Sequence, residues 1–315
     1  MNTEFQGVFP AVITPMTPEG KLNEAAFRKV IEFNIQAGVH GFWVAGGTGE
    51  SILLDDEENQ RIAEIVANQA RGRAKNIMHV GAPTTARTAK LAEHAARAGV
   101  DAICCVPPFF YHRTDNEIVE HYRIVAEAAD LPLFVYNLPH STGVEVTPAL
   151  MQKIQDGVPQ LAGLKHSAVT LGHVRTFTKM GLSCLIGNCR LMLPALTLGA
   201  TGCVDGPLNM LPELWLAIWN AYRDGDLKRA EAAQDNAWEI LSEISRCGGG
   251  FHAVIKAVLS ERLGIECGDP RPPASPLTAE QRTALSTRIV ELCVLDTVPN
   301  SVQDKLGLNK VTIVS

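Results

Sequence analysis

Short runs rich in Val and Ile alternate along the chain with longer stretches in which hydrophobic residues recur at helical spacing. This alternation predicts parallel strands joined by crossover helices. The predicted strands are residues 7–16, 41–46, 77–83, 102–108, 133–139, 161–167, 183–188 and 202–206. The predicted helices that follow them are residues 23–37, 56–70, 85–98, 116–129, 148–155, 172–180, 190–198 and 212–223.

Eight successive strand and helix units predict an α/β fold, a (β/α)8 TIM barrel over residues 1–225. Crossover connections are right-handed, so eight such units close on themselves, and a doubly wound open sheet is the alternative. Gly38, Gly99 and Gly202 are predicted to end helices. The remaining pattern predicts a C-terminal helical extension over 226–296, with helices at 227–245, 252–263 and 278–295, and a tail or intersubunit arm at 297–315.

Composition excludes several classes of protein. The 315 residues are 46% hydrophobic and 20% charged, which is typical of a globular protein. The net charge of −6, without a basic stripe, argues against a nucleic acid partner. No apolar run approaches the ~18 residues of a membrane span, and the first residues do not resemble a signal peptide. We therefore expect a soluble, cytoplasmic protein without a membrane partner.

Cysteine and glycine placement narrows the candidate chemistry. The eight cysteines have no metal-ligand spacing and are interpreted as buried thiols, so no metal site is expected. In a TIM barrel the reacting groups lie where strands end. The sequence Gly-Gly-Thr-Gly-Glu-Ser at 46–51 follows the second strand, and its backbone N–H groups can bind a small carboxylate or phosphate. A tight turn without a ligand is the alternative.

Lys165 is the candidate nucleophile because it lies inside the sixth predicted strand, whereas the other lysines, Lys75 and Lys256 included, fall in predicted helices, loops or the tail. Strand alternation places Gly163 on the same face, where it leaves room for the amine. Burial disfavours the charged amine and makes it nucleophilic towards a carbonyl carbon, which predicts a Schiff base. A salt-bridged lysine at a strand end is the alternative.

Tyr136 lies one strand away, near the same end of the barrel, and its phenol is placed to move protons during imine formation. A packed aromatic side chain whose hydroxyl has a hydrogen-bond partner is the alternative.

These motifs occur together in one known family. The three motifs are Gly-Gly-Thr-Gly-Glu-Ser after strand two, Tyr136-Asn137-Leu138-Pro139 and Gly163-Leu164-Lys165. In this order they resemble the motifs of the dihydrodipicolinate synthase / N-acetylneuraminate lyase family of class I aldolases. The resemblance covers about residues 5–265. It implies a (β/α)8 barrel with a helical C-terminal part, usually a homotetramer, that acts on pyruvate or a related 2-oxo acid without metal or organic cofactor.

The resemblance also implies residue roles. Lys165 forms the imine, and Tyr136 moves protons. Thr48 and neighbouring backbone N–H groups, with Gly47 among the loop residues, hold the carboxylate of the 2-oxo acid. The backbone of Val204 completes the pyruvate site.

Several positions depart from the family pattern. The synthase has a hydroxyl residue in place of Gly47 and a tyrosine in place of Phe110, so the proton relay must differ here; Tyr111 is a possible substitute, and loop packing is its alternative role. The synthase also carries an arginine where this chain has Ser141, so the partner of a second substrate carboxylate is absent.

Arg190 and Asp205 are predicted to bind the far end of the substrate. Arg190 follows strand seven and is suited to a distal carboxylate, and Asp205 follows strand eight and is suited to a hydroxyl or amine. An ion pair between the two is the alternative. His140 and His166 flank the site as possible acids or bases, or else point outwards.

The expected function is a Schiff-base-forming lyase that cleaves, dehydrates or deaminates a 4-hydroxy-2-oxo acid or a 2-keto-3-deoxy sugar acid. The alternatives are 4-hydroxy-tetrahydrodipicolinate synthase itself and a non-catalytic relative that binds a 2-oxo acid. A phosphate-handling isomerase is disfavoured, because the turn at 202–207 carries an acid where phosphate would bind.

Overall fold

Eight parallel strands form a nearly closed barrel within residues 4–292, the part of the chain that the computed structural model describes. The order of hydrogen-bonded strands is β1-β8-β7-β6-β5-β4-β3-β2, and a bridge from Ala11 to Trp43 links the first strand to the second. The strands are β1 (Gly7–Pro10), β2 (Gly41–Val44), β3 (Lys75–His79), β4 (Ala102–Cys105), β5 (Leu133–Asn137), β6 (Leu161–His166), β7 (Ser183–Ile186) and β8 (Gly202–Asp205). The predicted TIM barrel is confirmed, and the open sheet is excluded.

Helices surround the barrel and continue beyond its last strand. The helices up to the end of the eighth unit are α1 (Glu24–Ala37), α2 (Asp56–Ala70), α3 (Thr85–Ala98), α4 (Asp115–Ala129), α5 (Pro139–Thr142), α6 (Pro148–Gly157), α7 (His173–Lys179), α8 (Met192–Thr197), α9 (Pro207–Met210) and α10 (Pro212–Arg223). Three further helices follow, α11 (Leu227–Arg246), α12 (Phe251–Leu263) and α13 (Ala279–Glu291). Predictions for residues 293–315, the tail at 297–315 included, lie outside the described residues.

The hydrophobic core has two parts because side chains alternate across each strand. Inward-facing residues such as Phe9, Trp43, Ile77 and Phe134 fill the barrel, and their neighbours along each strand pack outwards against the helices. Each such fully buried side chain contributes about 1.5–3 kcal/mol. The barrel interior is therefore a packed core, and polar groups at its carboxyl end are held by rigid elements.

Helix ends follow the sequence signals in most cases. Asp55 caps α2 and forms a capping box with Glu58. Gly38 and Gly99 end α1 and α3 in the left-handed conformation, as predicted. The prediction for Gly202 was wrong, since this residue lies in β8. A Cβ there would lie 2.0 Å from the carbonyl oxygen of Gly7, so the glycine permits close approach of two strands.

The structure corrects other details of the prediction. Most strands are shorter than predicted, and the four-residue helices α5 and α9 were missed because they are too short to show a periodicity. Lys75 was assigned to a helix or loop but begins β3, where its ammonium group contacts Asp101 at 3.0 Å. None of the helices in residues 4–292 has the length and hydrophobicity to cross a membrane.

Candidate active site

Lys165 and Tyr136 lie side by side on β6 and β5, which pair in register at these two residues. The Lys165 Nζ atom lies 4.6 Å from the centroid of the Tyr136 ring and 5.5 Å from that of Trp43. The lysine is only 3% exposed. Aromatic faces stabilise an ammonium group that has lost water, so two rings hold this amine inside the barrel mouth.

Gly187, which sequence reasoning missed, makes room for Lys165. A Cβ at Gly187 would lie 1.9 Å from Ser167 Oγ and 3.1 Å from Lys165 Cε. The space next to Gly163 is instead filled by the Ser183 carbonyl, 2.2 Å from where a Cβ would stand. The expectation that Gly163 leaves room for the amine was therefore wrong. Gly163 permits close packing of strands, and Gly187 borders the lysine.

The glycine-rich loop at residues 46–51 lies against the hydroxyl of Tyr136. A Cβ at Gly47 would lie 3.5 Å from that hydroxyl oxygen, an ordinary contact distance. Thr48 is buried within the loop. The hydrogen bonds among residues 4–292 include none donated by the N–H groups of Gly47 or Thr48, whereas the N–H of Glu50 donates to the Gly47 carbonyl at 3.1 Å. Unpaired N–H groups of this kind suit a carboxylate ligand.

A buried ion pair fixes the loop from behind. Lys256 Nζ on α12 donates to Glu50 Oε1 at 2.6 Å, and the backbone N–H of Arg271 donates to Glu50 Oε2 at 2.6 Å. Lys256 also donates to the carbonyl of Asp269 at 3.1 Å. Sequence reasoning did not single out Lys256, because a lysine on a helix gives no signal of burial. The C-terminal helices therefore hold the loop that is predicted to bind the substrate.

A cavity of about 560 Å³ opens beside the glycine-rich loop and Tyr136. It is lined in part by Gly47, His79, Tyr136, Ser141 and His252. The Nε2 atom of His252 lies 2.9 Å from the Gly47 carbonyl oxygen, a second contact from α12 to the loop. Burial, and next the charge of Lys165, lower the pKa of His79 to about 4, so its ring is neutral at pH 7.

The structure does not bring every candidate to this cavity. Tyr111 is 65% exposed and packs edge to face on Phe110, with ring centroids 5.0 Å apart. His166 points outwards, where its Nε2 atom lies 3.1 Å from the Thr170 carbonyl and its ring packs on Phe177. Val204 is buried among the side chains of the barrel interior.

Arg190 and Asp205 line a second cavity, of about 360 Å³, at the ends of β7 and β8. The Asp205 carboxylate accepts hydrogen bonds from the backbone N–H groups of Cys189, at 2.9 Å, and Gly206, at 2.8 Å. Arg190 donates to Ser242 Oγ at 3.3 Å. No ion pair joins Arg190 to Asp205, both of which lie in the described chain, so that alternative was wrong.

Comparison with known proteins places this chain in a family. The model of the Dihydrodipicolinate synthetase family matches residues 4–292. The chain belongs to this family, as its motifs predicted.

Individual relatives match this chain over nearly their whole length. An uncharacterized DapA-like lyase of Halobacterium salinarum is 34% identical over 291 residues, which are 92% of this chain and 94% of the relative. A catalytic lysine mutant of the Ruminococcus gnavus sialic acid aldolase superposes with a TM-score of 0.88 and 26% identity, over 97% of this chain and 99% of that one. YagE of E. coli K12 is a prophage protein of the dihydrodipicolinic acid synthase family, solved in complex with pyruvate. It superposes with a TM-score of 0.85 and 27% identity, over 92% of this chain and 99% of that one.

Proposed function

We propose that this protein is a Schiff-base-forming lyase that acts on pyruvate or a related 2-oxo acid. The observation that carries the proposal is the buried amine of Lys165, held 4.6 Å from the ring of Tyr136, which lines a cavity together with Gly47 of the glycine-rich loop. The relatives support it, since they include a DapA-like lyase, a sialic acid aldolase with a catalytic lysine, and a protein of the dihydrodipicolinic acid synthase family in complex with pyruvate.

The chemistry follows from the proposed imine. The amine of Lys165 attacks the C2 carbonyl of the 2-oxo acid, and loss of water leaves a protonated imine. Tyr136 passes the protons that the addition and the dehydration require. The N–H groups of Gly47 and Thr48 bind the carboxylate, with the Val204 backbone at the other side of the site. The imine is the electron sink, so the reaction needs neither a metal nor an organic cofactor.

The substrate that we propose is a 4-hydroxy-2-oxo acid or a 2-keto-3-deoxy sugar acid. An electron sink at C2 allows the C3–C4 bond to break, and it also allows a hydroxyl or amine to be eliminated further along the chain. Arg190, in the second cavity, is suited to a distal carboxylate, and Asp205 to a hydroxyl or amine. Ser141 replaces the arginine that the synthase would use, which favours the lyase over the synthase reaction.

The test is borohydride reduction in the presence of pyruvate, followed by peptide mass analysis. We expect one reduced adduct on Lys165, which is lost in Lys165→Arg and retained in Lys75→Arg. Lys75 serves as the control because it is an ion-paired lysine at the opposite end of a strand. A folded protein without an adduct would refute the imine. An adduct without turnover of any 2-oxo acid would indicate a non-catalytic binding protein.

Product analysis then identifies the reaction. Pyruvate release and ammonia release are followed separately over a panel of 4-hydroxy-2-oxo acids and deoxy sugar acids. Release of pyruvate with an aldehyde supports aldol cleavage. Consumption of pyruvate together with aspartate semialdehyde would instead support the synthase.

We also propose that the protein forms a homotetramer in the cytoplasm. The two adjacent aromatic residues Phe110 and Tyr111 are 87% and 65% exposed in the single chain, as expected of surface that a second copy covers. The seven cysteines of the described chain are free thiols, which suits a reducing compartment. Light scattering tests the assembly, and a monomer at micromolar concentration would refute it.

A further inference from the structure

His252 is the second residue of α12 and lies beside the glycine-rich loop. Its Nε2 atom is 2.9 Å from the carbonyl oxygen of Gly47, and both residues line the 560 Å³ cavity. A carbonyl oxygen only accepts, so Nε2 carries the proton of this hydrogen bond. Lys256, which binds Glu50 of the same loop, lies four residues further along α12 and therefore on the same face of the helix. No role assigned so far uses His252.

The Gly47 carbonyl and the Thr48 N–H belong to one peptide unit. Such a unit is planar and trans, so its C=O and its N–H point in opposite directions. A hydrogen bond that holds the Gly47 oxygen towards α12 therefore directs the Thr48 N–H away from α12. The Glu50 N–H also donates to the Gly47 oxygen, at 3.1 Å. Both of these groups belong to the loop, so that bond shapes the turn without fixing it to the rest of the fold.

His166 makes the same kind of bond at a place where no ligand is expected. Its Nε2 atom lies 3.1 Å from the Thr170 carbonyl oxygen. The N–H of the same peptide unit, that of Leu171, donates to the Val169 carbonyl at 3.0 Å. That unit is thus satisfied at both ends, and the bond only closes a turn.

The peptide unit after Gly47 is satisfied at one end only. Its carbonyl accepts from His252, whereas the Thr48 N–H has no acceptor among residues 4–292. A donor on the carbonyl oxygen polarises the peptide, which makes the N–H of the same unit a stronger donor. The bond from His252 therefore both aims the Thr48 N–H and strengthens it for a ligand.

We propose that His252 is a positioning residue for the carboxylate of the 2-oxo acid. It holds the peptide unit between Gly47 and Thr48 so that the Thr48 N–H donates to that carboxylate. This inference rests on the proposed lyase function and adds to it a residue of the C-terminal helices that controls substrate affinity. His252 transfers no proton, so its loss weakens substrate binding and leaves the attack of Lys165 on C2 unchanged.

The test measures the rate of borohydride-trapped adduct formation as a function of pyruvate concentration. We expect His252→Phe, which keeps a ring but has no donor, to raise the half-saturating concentration about tenfold and to change the maximal rate less than about twofold. His252→Gln, whose amide can still donate to the Gly47 carbonyl, should return the half-saturating concentration to within about threefold of the wild-type value. Urea unfolding checks that each variant is folded.

Tyr222→Phe is the matched control. The Tyr222 hydroxyl donates to the carbonyl oxygen of Leu196 at 2.8 Å. This variant therefore also removes one donor to a backbone carbonyl, but at α8 rather than at the glycine-rich loop. Neither the half-saturating concentration of pyruvate nor the maximal rate should change.

Pyruvamide, in which a neutral amide replaces the carboxylate, separates positioning from a general effect on the cavity. A charge-assisted hydrogen bond is about twice as strong as a neutral one, so His252→Phe should lose about threefold in affinity for pyruvamide against about tenfold for pyruvate. Equal losses for the two ligands, equal defects in His252→Gln and His252→Phe, or a fall in the maximal rate alone would overturn the proposal. A wild-type protein that forms no adduct would instead refute the lyase function, and this inference with it.

Discussion

Lys256 and Glu50 form an ion pair across the interface between α12 and the glycine-rich loop. The Lys256 Nζ atom lies 2.6 Å from Glu50 Oε1, and the two side chains are only 1% and 2% exposed. The pair lies 206 residues apart in sequence. It joins the C-terminal helices to the loop that we propose to hold the substrate carboxylate.

Lys256→Met should destabilise the protein by about 3–5 kcal/mol, because it leaves the Glu50 carboxylate buried without a cation. Urea unfolding measures the change. Lys153→Met is the control, since Lys153 and Asp115 form an exposed pair at 2.8 Å whose loss should cost at most about 1 kcal/mol. The double variant with Glu50→Gln should be more stable than Lys256→Met alone. A single variant as stable as the control would show that the buried pair does not hold the loop.

Gly187→Ala and Gly47→Ala should differ sharply in activity. The new Cβ at 187 would lie 1.9 Å from Ser167 Oγ and 3.1 Å from Lys165 Cε, so Ser167 and Lys165 must move. The new Cβ at 47 would meet only the Tyr136 hydroxyl, at 3.5 Å. We expect the rate of pyruvate adduct formation to fall at least about tenfold in Gly187→Ala and to change less than about threefold in Gly47→Ala. Equal rates in the two variants would contradict the placement of Gly187 beside the lysine.

Stability should fall as the pH is lowered from about 6.5 to about 4. Burial lowers the pKa values of both His79 and His121 to about 4 in the folded protein, whereas histidine in an unfolded chain titrates near 6.5. In this window the unfolded chain binds protons that the folded protein excludes, so each histidine subtracts about 1.4 kcal/mol per pH unit from the free energy of unfolding.

Urea unfolding at several pH values between 7 and 4.5 checks this. The hydrogen bond with Arg73 lowers the pKa of the Glu32 carboxyl group to about 2. Protonation of this group therefore reduces the stability of the protein only at lower pH. His121→Gln should reduce the pH dependence by the share of one histidine. An unchanged slope in that variant would show that His121 does not exclude a proton.

Arg190→Ala should select against substrates with a distal carboxylate. Its guanidinium lies in the second cavity, where it donates to Ser242 Oγ and is not neutralised by Asp205. A charge-assisted hydrogen bond contributes about 1.5–3 kcal/mol, so kcat/KM for dicarboxylic 2-oxo acids should fall about 10- to 100-fold, with little change for monocarboxylic ones. Ser242→Ala is the control, and it should affect both classes equally. Equal losses in Arg190→Ala would argue that Arg190 only supports the fold.

The sequence by itself determined the barrel, the family and the main pair of candidate residues. Alternating strand and helix patterns are local and repeat eight times, so small errors at element boundaries did not change the topology. Lys165 could be identified because a lysine inside an apolar strand is unusual, and Tyr136 because the neighbouring strand ends at the same side of the barrel.

Only the tertiary structure decided which distant residues meet these groups. Lys256 and Gly187 have ordinary local sequences, and the bond to Glu50 or the space beside Lys165 exists only after the barrel has closed. His252 also gave no signal, because the partner of a ring nitrogen depends on elements that are far apart in sequence. An ion pair between Arg190 and Asp205 was one alternative, yet backbone N–H groups at the strand ends bind the Asp205 carboxylate instead. Local periodicity fixes secondary structure, whereas burial and hydrogen-bond partners depend on packing between elements.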